Sequence, residues 1–250
     1  MKSHKFLEAY LNAYAPVAQE TEGQKIWMRY ISDFVHSLHM DAYGTGYGVY
    51  RCGKENAKKV VIEAHCDEIS WIITHIEKDG YIRVRHHGGS DNMIAPSKTV
   101  VIHTHDGRQV KGVFGWPAIH TRTERTSKGY EPHELWIDVG VSSDEQAAEL
   151  GVEVGCLATF DTQFDQIGDY YVGRSLDNKI GGYIIAEVIK RMSLDGEKLP
   201  FDLYIVNSVQ EEVGLYGAKN IAKALQADLA LVHDVCHNVA HPKMDKAKHG

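Results

Sequence analysis

Two neighbouring acids, Glu211 and Glu212, are the residues best placed to do chemistry. They follow the apolar run Leu203-Tyr204-Ile205-Val206, which reads as a buried strand. They precede Leu215 to Leu225, where Leu215, Ala218, Ile221, Ala222 and Leu225 recur at helical spacing. The pair therefore lies where a strand ends and a helix is about to begin. In open α/β sheets, ligands collect at the carboxyl ends of strands. Adjacent carboxylates repel. A metal ion relieves that repulsion for one of them and frees the other to act as a general base on water. Taken alone, the pair reads better as two solvated acids opening a helix, where the dipole favours them.

Three other places change that reading. His65-Cys66-Asp67-Glu68 ends the strand Lys59 to Ala64, Asp177 opens a helical segment, and His233-Asp234 ends the apolar run 228–232. At an extended strand end, residues two apart point the same way. His65 can thus ligate a metal while Asp67 orients its imidazole. A carboxylate has two oxygens, so Asp177 can bridge two ions. Histidine with carboxylates suits zinc, cobalt or manganese rather than a structural zinc held by four thiolates. Pairs of such ions about 3.5–4 Å apart serve aminopeptidases and nucleases.

The elements that must position these groups are legible in outline. Residues 3–38 read as two helices. Phe6, Leu7, Tyr10, Leu11 and Tyr14 form the face of the first. The second opens on the capping-box pattern Thr21-Glu22-Gly23-Gln24, with Ile26, Trp27, Tyr30, Ile31, Phe34, Val35 and Leu38 inside. Gly44, Gly46 and Gly48 suggest a turn and hairpin; with no GxGxxG and no following helix, they do not suggest a phosphate cradle. From Ile69 to about residue 165 short β-rich runs alternate with turns: Trp71 to Ile76, Tyr81 to Val84, Thr99 to Ile102, Val110 to Phe114 and Gly155 to Phe160. This predicts a small β-barrel or sandwich, with one helix from Ser143 to Leu150. The helix Asp177 to Met192 should bury Ile180, Ile184, Ile185, Val188, Ile189 and Met192, and 228–232 should be a buried strand. The expected fold is α/β, a mixed-sheet domain of residues 1–68 plus 167–250 interrupted by an inserted β domain, 69–166.

Composition narrows the classes. A chain of 250 residues with 24% charged residues and a net charge of −7 is an ordinary globular protein. It has no basic stripe, so nucleic acid is not an expected partner, and no apolar run long enough to span a bilayer. Its four cysteines form no CxxC motif, so a cytoplasmic location is expected. Several histidines are decoys. His103-Thr104-His105-Asp106 mimics a metal motif but has no partner motif; His86, His87 and His241 read as exposed. His233 reads as packed, and His237 could come near the site. Glu68 is either a lining residue or a solvated one. Cys66 should point away from His65 and pack.

Taken together, the segments Val61 to Glu68, Gly173 to Lys179, Gln210 to Gly214 and Asp234-Val235 resemble the M42 family of metalloaminopeptidases, the glutamyl- and tetrahedral-aminopeptidase group. The likeness covers essentially the whole chain and includes Gly88-Gly89 and Gly112 to Pro117 in the insertion. It implies two divalent metal ions, zinc or cobalt. His65 and Asp234 would bind one, Asp177 would bridge both, and Glu212 would bind the other. Glu211 would be the general base, and Asp67 would support His65. It also implies short peptides as substrates and an inserted dimerisation domain that builds homo-oligomers up to dodecamers. The family pattern carries one more metal-binding histidine well downstream of Asp234. The expectation is therefore an α/β domain cut short at its carboxyl end, with the ion at Glu212 short of one ligand. Two other functions stay open: a glycoside hydrolase built on paired carboxylates, and an inactive assembly subunit.

Overall fold

The computed structural model describes residues 2–121 and 132–249. Helices α1 (Ser3–Asn12) and α2 (Thr21–Ile31) come first. Strands β1 (Ser37–Met40) and β2 (Gly46–Tyr50) form a hairpin, and β3 (Lys59–His65) follows. Then come β4 (Ser70–Ile76), β5 (Ile82–His87), β6 (Thr99–His103), β7 (Gln109–Gly115) and β8 (Trp136–Asp138). Helix α3 (Asp144–Glu149) and β9 (Leu157–Phe160) complete that region. A small hairpin of β10 (Asp165–Ile167) and β11 (Tyr170–Val172) leads into α4 (Leu176–Asp195). Last are β12 (Asp202–Ser208), α5 (Tyr216–Leu225), β13 (Leu229–Val232) and α6 (Lys246–His249).

The main sheet has the order β1-β2-β12-β3-β13. The two outer strands on one side are antiparallel, whereas β12, β3 and β13 run parallel. Period-two alternation divides their side chains between two helical layers. Val60, Leu203 and Ile205 join Phe6, Tyr10, Trp27, Ile31, Ile185 and Ile189 on one face. Val61, Tyr204 and Val206 meet Ile221 and Leu225 of α5 on the other. Burying a side chain such as Ile205 contributes about 1.5–3 kcal/mol.

The insertion closes into a six-stranded barrel, β4-β5-β8-β7-β6-β9. Its core is separate: Trp71, Ile73, Ile82, Val84, Val100, Ile102, Phe114 and Ile137. Ser143 caps α3 by accepting from the Gln146 amide, as its type suggests.

Several expectations need correction. Helix α2 stops at Ile31; Phe34, Val35 and Leu38 stay against the core as expected, but residues 37–40 do so as a strand paired with β2. Gly48 permits this, because a Cβ there would lie 2.8 Å from Val35 and 2.9 Å from Ile31. Gln24 does not cap α2. It exchanges hydrogen bonds with Asn207, donating to its carbonyl at 2.6 Å and accepting from its amide at 2.9 Å. Tertiary partners outbid the local motif. On α4, Ile185 and Ile189 are buried, but Ile184 and Val188 are exposed. Strand β13 is a sheet edge with all four residues exposed, not a buried strand. The pattern also missed β8 and the β10–β11 hairpin, whose runs of three residues are too short to show a period.

Candidate metal centre

Register decides where the site forms. Within the parallel strands Ser208 pairs with His65, and Val232 pairs with Glu63. The carboxyl ends of β12, β3 and β13 therefore lie side by side. Glu211 and Glu212 follow β12 in a turn, His65 ends β3, and Asp234 follows β13. Asp177 is brought over the same edge by α4, which packs along β3. The backbone at Asp177 and Asn178 departs from helical geometry, and a cis peptide joins them.

The imidazole of His65 is the centre of the cluster. Its Nε2 lies 3.2 Å from Asp177 Oδ1 and 3.8 Å from Glu211 Oε2. Its Nδ1 lies 3.2 Å from the Asp67 carbonyl oxygen and 3.5 Å from Asp67 Oδ1. Asp67 also accepts the amides of Glu211 at 3.0 Å and Glu212 at 3.1 Å, one on each carboxylate oxygen. One fully buried carboxylate thus fixes both the ring and the turn that carries the two glutamates. Glu63 is anchored nearby by a short hydrogen bond from the Ser208 hydroxyl. Across the junction, Gly88 at the end of β5 has a φ of +96°, and a Cβ there would lie 3.2 Å from Glu212 Cβ. A glycine is needed there both for the backbone angle and for the close approach.

Two groups of donor atoms lie within 4.8 Å of one another: His65, Asp177 and Asp234, and His65, Glu211 and Glu212. The first corresponds to the ligands expected for one ion. In the second, both glutamates gather on His65, where Asp177 with Glu212 was the expected pair. Charge explains the gathering. Burial by itself would push the His65 pKa down, but the carboxylates of Asp177, Asp67 and Glu211 outweigh it and raise it to about 10. Burial raises the Glu212 carboxyl to about 7 and also raises Glu211, with neighbouring acids adding to both and His65 opposing. Acids crowded this way around one imidazole gain from a divalent cation placed between them. One nitrogen and several carboxylate oxygens, with no sulfur, suit zinc, cobalt or manganese. The donor set fits.

Other residues behave differently from their sequence reading. Glu68 is neither solvated nor in the donor groups; it is buried in an ion cluster with Arg174 and Lys179. His86 stands edge-on to Trp71, and His87 Nε2 lies 3.2 Å from the Val17 carbonyl oxygen, so neither is exposed. His103 is half-buried against Tyr14, and burial drives its pKa down to about 4. His237 is exposed and outside both donor groups, whereas His233 is packed as expected. Cys66 is buried, its thiol pushed up to about 12 by burial. Asn178 was given no role, yet it donates to the His233 carbonyl at 2.7 Å and ties the Asp177 turn to the Asp234 turn. An amide directly after the bridging acid, in Leu176-Asp177-Asn178-Lys179, is the signal that could have marked it.

The structure thus joins a mixed α/β sheet with an inserted closed barrel to an acid-rich, histidine-centred site at its strand ends that could hold a metal ion. The profile of the M42 glutamyl aminopeptidase family matches residues 46–250, and the chain belongs to that family. FrvX of Escherichia coli (strain K12) is 32% identical over 249 residues, which is 98% of this chain and 67% of FrvX. The structure of aminopeptidase APDkam598 from the archaeon Desulfurococcus kamchatkensis superposes with a TM-score of 0.90 at 31% identity, covering 99% of this chain and 67% of that one. The Pyrococcus horikoshii TET1 peptidase, described as assembling into a tetrahedron or a large octahedral shell, superposes with a TM-score of 0.83 at 28% identity over 96% of this chain and 72% of its own. The chain spans between about half and two thirds of the length of the curated relatives it matches.

Proposed function

We propose that this chain carries the site of a metal-dependent aminopeptidase that removes N-terminal residues from short peptides. The observation that supports it most is the approach of Asp177 and Glu211 to one buried ring nitrogen, at 3.2 and 3.8 Å. His65 and Asp234 would hold one divalent ion, Asp177 would hold both, and Glu212 would hold the other. When bound, zinc or cobalt ions supply Lewis acidity that polarises a peptide carbonyl and acidifies water. Glu211, whose carboxyl is already raised, takes the proton from the attacking water and returns it to the leaving amine. Asp67 keeps the ring and the Glu211 turn in register. The adjacency of the two glutamates, on one turn with His65 between donor groups, does not favour glycoside hydrolysis, which needs carboxylates on opposite sides of a bond.

The barrel, within residues 69–166, is read as the self-association element, with dimers building toward a shell. The remainder, 1–68 and 167–250, is read as the catalytic domain. Among the described residues no helix is long and apolar enough to cross a membrane. The four cysteines are free, which favours a reducing cytoplasm. The test is hydrolysis of a short peptide with a free amino terminus and of its N-acetylated twin, each with and without EDTA. Cleavage of the free peptide alone, abolished by EDTA and restored by Zn²⁺ or Co²⁺, is expected. Cleavage that survives excess EDTA rejects the proposal.

A further inference from the structure

Glu68 sits one residue beyond Asp67 and is 1% exposed. Its Oε2 lies 2.8 Å from Arg174 Nε, a charge contact outside hydrogen-bond geometry. Its Oε1 lies 3.4 Å from Lys179 Nζ and accepts the Ala15 amide at 3.1 Å. Its own amide donates to the Ala15 carbonyl at 2.9 Å. The Lys179 side chain is fully buried and that of Arg174 is 8% exposed.

These cations flank Asp177, three residues before it and two after. Each also holds the chain just after α1. Arg174 donates to the carbonyls of Asn12 and Ala13 at 2.9 and 3.0 Å and to Thr162 at 3.3 Å, and Lys179 donates to Ala13 at 2.6 Å. Ser175 joins them by donating to Leu11 at 2.8 Å. Thus one buried carboxylate couples the segment bearing His65 and Asp67 to the segment bearing Asp177. Sequence distance between these segments exceeds a hundred residues, and the Asp177 side chain itself is 59% exposed. Apart from its contact with His65 Nε2 at 3.2 Å, its placement over His65 rests on the backbone on either side of it. A buried acid facing two buried cations is costly to break from one side, because the partners left behind cannot find water.

We propose that Glu68 is a positioning residue for the metal centre: through Arg174 and Lys179 it sets where Asp177 stands relative to His65. This rests on the metallopeptidase reading above. The probe is Co²⁺ alone, titrated into the metal-stripped full chain in competition with a chromophoric chelator, well below the melting temperature. Wild type is compared with Glu68→Gln, which keeps size and loses charge, and with Arg174→Lys, which keeps charge and loses the fork onto Asn12 and Ala13. Folding of each variant is checked by circular dichroism. Roughly 10–100-fold weaker Co²⁺ binding in folded Glu68→Gln is expected, with a smaller loss in Arg174→Lys. In peptide assays kcat should fall while KM changes little. If Glu68→Gln does not fold, Arg174→Lys decides alone: weaker Co²⁺ binding than wild type in its folded form supports the positioning role, and unchanged binding overturns it. Wild-type binding of Co²⁺ with unchanged affinity in the folded variants overturns the positioning role and leaves the metallopeptidase reading intact. Failure of the wild type to bind Co²⁺ overturns both.

Discussion

The two sides of the acid cage are built differently. On one side His65 and Asp67 are 3% and 0% exposed, the imidazole touches Asp67 through both carbonyl and carboxylate, and the same carboxylate grips two amides of the glutamate turn. On the other side Asp177 is 59% exposed. Asp234 is exposed as well, after an edge strand with no buried residue, and its carboxylate accepts the amide of Val235, the next residue, at 2.7 Å. The sheet order accounts for the contrast. Strand β3 lies between β12 and β13, whereas among the described residues β13 has a neighbour on one side alone. The covered side is organised before any ligand arrives. The open side is held mainly through backbone anchors, Asn178 between the two turns and the Glu68 cluster behind Asp177.

This contrast can be broken or sharpened by substitution. The largest effect is expected at the acid assigned to proton transfer. Glu211→Gln should lower kcat by about 10²–10⁴-fold while metal content, measured by elemental analysis, stays that of wild type. A loss below tenfold would move the base elsewhere. Next comes the covered side. Asp67→Asn replaces one amide-accepting oxygen with a donor, so the glutamate turn loses a partner; metal affinity should fall roughly 10–100-fold in a protein whose circular dichroism is unchanged. Asp234→Asn, on the open side where water can take a vacated position, should weaken metal binding by less than Asp67→Asn in the same titration. The reverse ranking would show that preorganisation does not govern the site.

The smallest effect lies on stability alone. Glu20 is 5% exposed, and its Oε1 accepts the amides of Ala18 at 2.7 Å and Gln210 at 3.3 Å. Burial raises its pKa to about 7. The folded chain therefore keeps a proton there that the unfolded chain releases above the ordinary carboxyl range. The stability from this group is complete below about pH 4.5 and is lost as pH rises through 7. Glu20→Gln retains both accepted bonds and should stabilise the fold by about 1–3 kcal/mol at pH 8 and by nothing measurable at pH 4.5. Urea unfolding at the two pH values tests this, and an equal gain at both would refute the burial account.

The legible parts of this molecule were those with local periodicity. The apolar runs at Lys59 to Ala64 and Leu203 to Val206 stand as β3 and β12, and the α4 pattern stands as a helix. The six residues proposed for the site, His65, Asp67, Asp177, Glu211, Glu212 and Asp234, converge on one sheet edge. Motif and strand-end position sufficed there, because the parallel register does the gathering. What stayed hidden was set by tertiary partners. Gln24 serves Asn207 instead of its helix, and residues 37–40 join a hairpin instead of extending α2. Glu68 looked equally fit for solvent or site, since nothing local reveals that Arg174 and Lys179 will be buried beside it.

The central claim is that His65, with the carboxylates around it, binds a divalent cation. Crystals of the metal-stripped chain soaked in Zn²⁺ and measured across the zinc absorption edge test it most directly. An anomalous peak within bonding distance of His65 Nε2 and an oxygen of Asp177 or Asp234 is the predicted result. The absence of any peak there, or a peak confined to the half-buried His103 or another histidine outside the cluster, would contradict it.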